Sequence, residues 1–497
     1  MIDSSKVSSF CITIFIYVLT EVVDCSSPKV LLISVDGFRY NYLDLLAAEE
    51  TPNFHYFIQN GVKSELVNVF PTNTYPNHYT LITGLYPESH GIVQNRFFDK
   101  DFRVKDFFWY DNRRDNFDPV WYDVGAEPIY VTNKKGSGIR KCGSILWPGG
   151  LGKVKGVEPE MVYEDKDPFS HVNFTKMFDD MVDWFTMKDN PINLGLLYFD
   201  EPDELAHKFG AGSLEVIKFI KEFDGLLGHF INKLKDTGLI NELNIILVAD
   251  HGFTNITEHV VFTDYEIWEH EYTTGSHFQN RAALQMYPKD SSIEVLYKKL
   301  TNDTLRDKID VYLRDRSDYL RSKLHFSASS RIAPIIVTGK EGIVLFPNKS
   351  ATQNYTNKGG HGYDPLKFRN MHPIFLAMGP VFKKRVEIPA FPNLDIYPLM
   401  CHILGVEPAP NNGTLESVRD ILVDSVSGNR ENLITGITSV SLLVVFGMTV
   451  LIAGLYAICA CHNARKKPRI IVRRLDGPTN HLHTHHLLQS DDDDDEF

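Results

Sequence analysis

The sequence predicts an α/β fold in which a mostly parallel central sheet is flanked by helices. Residues 29–35, 194–199 and 244–249 are short, nearly continuous apolar runs, as expected for parallel strands that are buried on both faces. Residues 213–235 instead repeat apolar side chains every three or four positions, which predicts an amphipathic helix. Because strands and helices alternate along the chain, we expect ligands to bind beyond the carboxyl ends of the strands.

The overall composition restricts the partners that the protein can have. Of its 497 residues, 43% are hydrophobic and 23% are charged, which is typical of a globular protein. The formal net charge of −13 argues against a nucleic-acid polymer as partner, since phosphate backbones are bound by clustered lysine and arginine. Small phosphate substrates are not excluded, because bound metal ions neutralise their charge locally.

Two apolar segments predict how the chain is placed relative to a membrane. Residues 10–19 are too short to span a bilayer comfortably but suit the core of a signal peptide cleaved after Cys25. Residues 433–461 contain no charged side chain and are long enough for one transmembrane helix. Basic residues follow within 465–469, which predicts a cytoplasmic carboxyl terminus. The expected protein is a single-pass type I protein of the plasma membrane with its main domain outside the cell.

This topology divides the chain into successive segments. The last of them ends in an acidic run, which is either a solvated charge run or a binding site for cytoplasmic sorting machinery, and both interpretations stay open. The predicted segments are a signal peptide (1–25), an extracellular domain (26–425), a stalk (426–432), a transmembrane helix (433–461) and a cytoplasmic tail (462–497).

Secretory features agree with an oxidising, extracellular location. N-x-S/T sequons occur only between the two apolar runs, and each is a candidate glycan site. Cys142 and Cys401 are the cysteines left outside the membrane after the predicted cleavage, so they form a candidate disulfide. The sequons are at Asn173, Asn255, Asn302, Asn348, Asn354 and Asn412.

Aspartate, histidine and threonine residues in short polar segments indicate a metal site. Zinc accepts histidine nitrogen together with aspartate oxygen, whereas magnesium and calcium favour oxygen ligands. Each residue taken alone is equally consistent with an ordinary buried or capping polar residue, but several of them follow predicted strands. The candidate metal residues are Asp36, Thr74, Asp203, His207, Asp250, His251 and His361.

Thr74 begins a predicted helical segment, and two roles fit that position. A threonine at a helix start is most often an N-cap. The amide groups at a helix start also favour an anion, such as a threonine alkoxide or a bound phosphate. Since a threonine hydroxyl attacks well at neutral pH only when a metal lowers its pKa, the candidate metal residues make Thr74 the best nucleophile in the sequence.

Longer motifs resemble the ectonucleotide pyrophosphatase/phosphodiesterase family of the alkaline phosphatase superfamily. The resemblance extends over residues 28–425 and is similar to the short, membrane-anchored branch with members 4 and 5. It implies an alkaline-phosphatase-like core. The motifs are SVDGFR, FPTNTYPNHYT, TGLYPESHGIVQN, LWPG, EPDELAH, ADHGF and GHGYDP.

The resemblance also implies a two-zinc site and a covalent mechanism. Thr74 would be the nucleophile that forms a threonine–phosphate ester, and Asn95 would donate to the phosphate oxygens. Tyr75 and Tyr163 would bind the nucleobase by stacking, although Tyr75 is equally consistent with a packed core tyrosine. Asp203, His207 and His361 would hold one zinc ion, and Asp36, Asp250 and His251 would hold the other, with Thr74 bridging.

The implied activity is the hydrolysis of phosphodiester or pyrophosphate bonds in extracellular nucleotides by a cell-surface enzyme. Dinucleoside polyphosphates, NAD and nucleoside triphosphates are the expected substrates. Two alternatives stay open: cleavage of choline phosphodiesters at the same site, and a non-catalytic cell-surface binding protein on the same fold. All seven residues that the resemblance assigns to the metal ligands and the nucleophile are present, which favours an enzyme.

Overall fold

The computed structural model describes most of the chain between residues 27 and 423. It divides into two compact units, Met1–Val426 and Ser427–Phe497. Within the described residues, no helix is both long and apolar enough to cross a membrane. Most of the predicted transmembrane segment lies outside them, and the predicted signal peptide, stalk and cytoplasmic tail lie wholly outside them. The described residues are 27–99, 106–108, 118–163, 173–274, 281–289, 292–423 and seven single helical positions between 447 and 458.

The three strands predicted from apolar runs are present, over Lys29–Val35, Leu194–Phe199 and Leu243–Val248. They are apolar almost throughout because both faces are covered: the neighbouring side chains of Leu32 and Ile33 enter different hydrophobic clusters. Numbered along the chain, the strands are β1 (Lys29–Val35), β2 (Gly61–Val67), β3 (Arg96–Phe98), β4 (Asp106–Phe108), β5 (Cys142–Ile145), β6 (Met161–Tyr163), β7 (Leu194–Phe199), β8 (Leu243–Val248), β9 (Thr254–Asn255), β10 (Glu258–Val261), β11 (Tyr272–Thr274), β12 (Ala283–Pro288), β13 (Ile309–Leu313), β14 (Ile335–Gly339), β15 (Ile343–Phe346), β16 (Gly359–Gly360), β17 (Ile374–Met378), β18 (Val386–Glu387) and β19 (Phe391–Pro392).

The predicted helix over 213–235 is found at Leu214–Asp236. It begins where the Ser213 side chain accepts a hydrogen bond from the amide of Val216, which satisfies one of the unpaired N–H groups of the first turn. Its apolar side chains join the same hydrophobic cluster as Ile33, on one face of the sheet. Numbered along the chain, the helices are α1 (Pro52–Asn60), α2 (Thr74–Thr83), α3 (Pro87–His90), α4 (Pro119–Tyr122), α5 (Ile129–Gly136), α6 (Phe174–Thr186), α7 (Asp203–Phe209), α8 (Leu214–Asp236), α9 (Ile293–Leu300) and α10 (Ile396–Leu404).

Among the described residues, the central sheet has nine strands in the order β18-β2-β17-β8-β1-β7-β5-β6, with β19 paired to β2. Its strand pairs are parallel except those of β17, which runs antiparallel to β2 and to β8. The prediction of a mostly parallel sheet flanked by helices is confirmed. β1 lies between β7 and β8, with Val35 opposite Phe199 and Ser34 opposite Val248. The carboxyl ends of these three strands therefore meet at one edge of the sheet.

A second, smaller sheet is antiparallel and has the order β11-β12-β14-β13. It packs around a hydrophobic cluster of its own, which includes Leu284 and Val337. The short strands β9 and β16 form a separate pair, which places Gly360 opposite Thr254. Because β9 follows β8 closely, this short pair holds the chain around Gly360 near the carboxyl edge of the central sheet.

Candidate metal and nucleophile site

The carboxyl edge of the central sheet carries the acidic residues of the site. Asp36 follows β1, and Asp250 follows β8 by two positions. Asp203 is the first residue of α7, a few residues after β7 ends. The Asp36 amide donates to the carbonyl of Phe199 at 2.9 Å, so the parallel pairing continues up to the site itself. The sequence-based expectation that these aspartates share one edge is met by the geometry.

His251 and His361 lie face to face in the centre of this group. Their ring centroids are 3.6 Å apart and the planes are inclined by only 10°. His251 directly follows Asp250, whereas His361 follows β16, whose pairing with β9 holds it nearby. The chain beside His251 is tightly enclosed: a Cβ added at Gly252 would lie 2.1 Å from the carbonyl oxygen of Asn370. Only glycine fits that position without moving the backbone.

Two groups of potential ligand atoms form around His251. In the first, its Nε2 lies 3.4 Å from Asp36 Oδ1 and 3.1 Å from Asp250 Oδ2. In the second, its Nε2 lies 3.9 Å from Asp203 Oδ1, which is 3.5 Å from Nε2 of His361. Within each group the ligand atoms lie within 4.8 Å of one another. His251 therefore belongs to both groups.

His207 is arranged differently from the predicted ligand set. Its Nε2 is 3.4 Å from Asp203 Oδ2, as expected for side chains one helical turn apart. Its ring centroid is 5.1 Å from that of His361. In the group that contains Asp203 and His361, the third close ligand is His251, where the resemblance implied His207. Spacing along the chain identified the contact of His207 with Asp203 but gave no information about the position of His251 relative to both.

The histidines are oriented by backbone carbonyl groups. Nδ1 of His361 lies 2.8 Å from the carbonyl oxygen of Thr72, and Nδ1 of His207 lies 3.1 Å from that of Gly359. Nδ1 of His251 lies 3.1 Å from the carbonyl oxygen of Gly252. Because a carbonyl only accepts, hydrogen bonds at these contacts place the proton on Nδ1 of His251 and of His361, and each Nε2 then presents a lone pair toward the aspartates. This orientation is common among histidines that bind metal.

Several atoms at the centre of the site lack the hydrogen bonds that buried polar atoms normally make. Within the described part of the chain, this holds for Oδ1 of Asp36, Oδ1 of Asp203, Oδ2 of Asp250 and Nε2 of His251. Burial raises the pKa of Asp36 and Asp203 well above the usual range, and raises that of Asp250 to about 7. Carboxylates that are buried together with neutral imidazoles form a donor set that fits zinc or a similar cation.

Thr74 is the first residue of α2, and Asn73 before it takes the N-cap position. The interpretation of Thr74 as an N-cap is therefore wrong. Nδ2 of Asn95 is 3.4 Å from Oγ1 of Thr74, and Oδ1 of Asn95 accepts a hydrogen bond from the amide of Tyr75 at 2.9 Å. The Asn95 side chain thus bridges the hydroxyl of the nucleophile candidate and the amide of the following residue, in the first turn of the helix.

Two residues around the site were missed by the sequence interpretation. The hydroxyl of Tyr198 donates to Oδ2 of Asp36 at 2.6 Å. His78 lies behind Thr74, with Nδ1 2.8 Å from the Thr74 carbonyl oxygen and Nε2 2.8 Å from Oγ of Ser34. The only signal in the sequence was that Tyr198 and Ser34 place polar groups within otherwise apolar strands.

The two tyrosines predicted to stack on a nucleobase differ in burial, and their stacking stays a prediction. The ring of Tyr75 is 1% exposed and belongs to the hydrophobic core, so it presents no open face. Tyr163 ends the edge strand β6, where it packs against the core and lies 6.0 Å below the ammonium group of Lys176. Proximity in sequence to a site does not distinguish an aromatic side chain that packs in the core from one that binds a ligand.

Cys142 and Cys401 are two separate, buried thiols, so the predicted disulfide is not present. Cys142 lies on β5 and Cys401 on α10, and burial raises the pKa of both thiols. An even number of extracellular cysteines permits a disulfide but does not bring two elements together. The sequon asparagines are exposed except Asn348, which is partly buried, and their glycosylation stays a prediction.

Comparison with known sequences identifies relatives over most of the chain. The family described as "Type I phosphodiesterase / nucleotide pyrophosphatase" matches residues 30–364. Human ectonucleotide pyrophosphatase/phosphodiesterase family member 5 is 37% identical over 402 residues, which cover 79% of this chain and 78% of the relative. Mouse bis(5'-adenosyl)-triphosphatase enpp4 is 36% identical over 429 residues, which cover 86% of this chain and 88% of the relative.

Solved structures show the same similarity in three dimensions. Murine ectonucleotide pyrophosphatase/phosphodiesterase 5, as an inactive threonine-to-alanine variant in complex with AMP, matches with a TM-score of 0.72 and 34% identity, over 80% of this chain and 100% of that chain. The human protein matches with a TM-score of 0.71 and 36% identity, over 79% and 99% of the respective chains. The alkaline-phosphatase-like core expected from the motifs is confirmed.

Proposed function

Because the chain belongs to the type I phosphodiesterase/nucleotide pyrophosphatase family, we propose that it is a zinc-dependent hydrolase that cleaves phosphodiester or pyrophosphate bonds of extracellular nucleotides. The position of Thr74 supports this most directly. Its hydroxyl lies beside Asn95, and His78 of the same helix lies next to Asp250. Nδ1 of His78 lies 2.8 Å from the Thr74 carbonyl oxygen and 3.6 Å from Oδ2 of Asp250.

The donor set favours two zinc ions. Asp36, Asp250 and His251 would hold one ion, while Asp203 and His361, with His207 on the same helical turn as Asp203, would hold the other. When bound, zinc lowers the pKa of a coordinated hydroxyl group and neutralises the charge of a phosphate ester. The hydrogen bond from Tyr198 to Asp36 and the carbonyl contacts of the histidines orient the ligands before any ion binds.

The chain's own residues suit a two-step displacement at phosphorus. Oγ1 of Thr74 loses its proton and attacks phosphorus, the bond to the leaving oxygen breaks so that this part of the substrate departs, and the remaining nucleotidyl group is held as a threonine–phosphate ester. Water then cleaves that ester and restores the Thr74 hydroxyl. Nδ2 of Asn95 is placed to donate to a non-bridging phosphate oxygen, where negative charge is concentrated in the transition state. The amino terminus of α2, which Thr74 begins, adds further attraction for the anion.

The relatives favour small nucleotides as substrates. One of them is a bis(5'-adenosyl)-triphosphatase, and the solved murine relative was obtained in complex with AMP as an inactive threonine variant. We therefore propose dinucleoside polyphosphates, NAD and nucleoside triphosphates as the substrate class for this chain. Cleavage of choline phosphodiesters and a purely binding role are the competing functions that the experiment must separate.

The proposed setting is the outer face of the plasma membrane. The apolar runs at 10–19 and 433–461 and the exposed sequon asparagines support a single-pass type I protein with a glycosylated catalytic domain outside. Protease protection of the carboxyl-terminal tail in intact cells, combined with glycosidase sensitivity of the catalytic domain, tests this orientation. Cleavage of the tail by external protease would contradict it.

The activity is tested with the full-length protein and a panel of diadenosine triphosphate, NAD, ATP and glycerophosphocholine. Wild type should hydrolyse at least one nucleotide, and Thr74→Ala should not. Thr83→Ala, at the other end of the same helix, serves as a matched control and should retain activity. A Thr74 peptide that carries the nucleotidyl group in acid-quenched reactions would identify the ester. Equal turnover by wild type and Thr74→Ala would refute the nucleophile, and turnover of glycerophosphocholine alone would assign the choline activity.

A further inference from the structure

Thr72 connects two segments that the proposed reaction needs in register. It is completely buried and lies two residues before Thr74. Its hydroxyl donates to the carbonyl of Tyr363 at 2.9 Å and accepts a hydrogen bond from the amide of Gly362, also at 2.9 Å. Its own carbonyl oxygen lies 2.8 Å from Nδ1 of His361. One residue therefore contacts three consecutive residues of the loop that carries a candidate metal ligand.

These contacts fix the tautomer and the orientation of the His361 ring. Donation from Nδ1 to the Thr72 carbonyl leaves Nε2 without a proton, and Nε2 lies 3.5 Å from Oδ1 of Asp203. The following residue, Gly362, has a φ of 109°, which side-chain-bearing residues rarely adopt. The loop is therefore held in an unusual conformation at the point where the Thr72 hydroxyl binds its backbone.

We propose that Thr72 is a positioning residue that couples the metal ligand His361 to the nucleophile Thr74. This inference rests on the proposed function for its catalytic part, while its effect on metal binding stands independently. Thr72 does not touch the reacting atoms. It acts because the backbone from Thr72 to Thr74 is short, so the position of the loop at His361 sets the distance between the nucleophile and the metal site.

The test compares Thr72→Val, Thr72→Ser and Thr83→Val in the full-length protein. Thr72→Val keeps the branched shape but removes both hydroxyl hydrogen bonds, whereas Thr72→Ser retains them. Thr83 is also buried, and its hydroxyl donates to the carbonyl of Tyr79 at 2.6 Å within the same helix, so Thr83→Val makes the same chemical change away from the site. Thermal unfolding establishes that all three variants are folded.

Zinc affinity, measured by competition with a chromophoric chelator in the absence of substrate, is the first readout. Thr72→Val should weaken it about 10- to 100-fold, the range found for residues that orient metal ligands. Thr72→Ser and Thr83→Val should resemble wild type. The second readout is turnover of diadenosine triphosphate, where Thr72→Val should lower kcat with little change in KM.

The outcomes separate the two proposals. If Thr72→Val matches Thr83→Val in both zinc affinity and kcat, the positioning role of Thr72 is wrong. If zinc affinity falls only in Thr72→Val but wild type hydrolyses no nucleotide, the proposed function fails and the link from Thr72 to the metal ligand is supported. If wild type binds no zinc, both proposals are refuted.

Discussion

The imidazole rings of His251 and His361 are stacked with their centroids 3.6 Å apart, although one follows the central strand β8 and the other a short pair outside that sheet. Burial lowers the pKa of His361 to about 3 and that of His251 well below its usual value. Both rings are therefore neutral, which removes the repulsion that two imidazolium groups would have. Neutral imidazole is also the form that binds metal.

We expect His251→Ala to lose more bound metal than His207→Ala. Nε2 of His251 lies within 4 Å of Asp36, Asp203 and Asp250, whereas among the described carboxylates Nε2 of His207 lies that close to Asp203 alone. Metal content per protein, measured by inductively coupled plasma mass spectrometry after dialysis, checks the difference. Equal metal content in the two variants would show that His251 is not shared between the two groups.

Removing metal with a chelator should lower the thermal stability of wild type. A ligand present at 100 times its dissociation constant contributes about 2.7 kcal/mol, so we expect the unfolding temperature to fall by roughly 5 °C.

Asp36→Asn should weaken metal binding but make the metal-free protein more stable than metal-free wild type. The reason is that it removes one of the clustered carboxylates, which are costly to bury together. Scanning calorimetry with and without chelator measures both effects. A metal-free Asp36→Asn protein less stable than metal-free wild type would contradict the repulsion argument.

Asn95→Ala should lower kcat by about 10²- to 10³-fold, the usual effect of removing a donor to a developing oxyanion. Metal content should change little, because the Asn95 side chain contacts Thr74 and the Tyr75 amide rather than the aspartates and histidines that would hold the metal. Asn133→Ala provides a control for the loss of an amide side chain, since Asn133 is buried and pairs with Asn193 away from Thr74. Steady-state kinetics decide the matter: an Asn95→Ala enzyme with normal kcat would exclude a role for Asn95 in the transition state.

Two glycines of α8 should respond differently to alanine. A Cβ at Gly225 would meet nothing within 4 Å, so Gly225→Ala should raise the free energy of unfolding by about 0.5–1 kcal/mol through helix propensity. A Cβ at Gly228 would lie 2.8 Å from Nδ2 of Asn53, which donates to the Asp224 carboxylate. Breaking that hydrogen bond should make Gly228→Ala less stable than Gly225→Ala by roughly 1 kcal/mol. Urea denaturation of both variants gives the comparison.

The parts of the site that sequence predicted well are those controlled by local patterns. Asp36 and Asp250 follow buried apolar strands, and parallel strands place their carboxyl ends together. Asp203 and His207 are one helical turn apart, which is sufficient to predict their contact. Cys142 and Cys401 show the limit of such reasoning, because a count of cysteines contains no information about the distance between two elements.

By itself, the sequence determined the α/β class, the three central strands and the residue types of the candidate metal site, because strand burial, helical period and ligand chemistry are properties of short segments. Only the tertiary structure decided that His251 contacts both groups of carboxylates, that Tyr75 is buried, and that Thr72 holds the loop of His361. Each of these depends on the distance between residues far apart in the chain. Such distances follow from how the sheet, the helices and the β9–β16 pair pack together, and no local pattern encodes them.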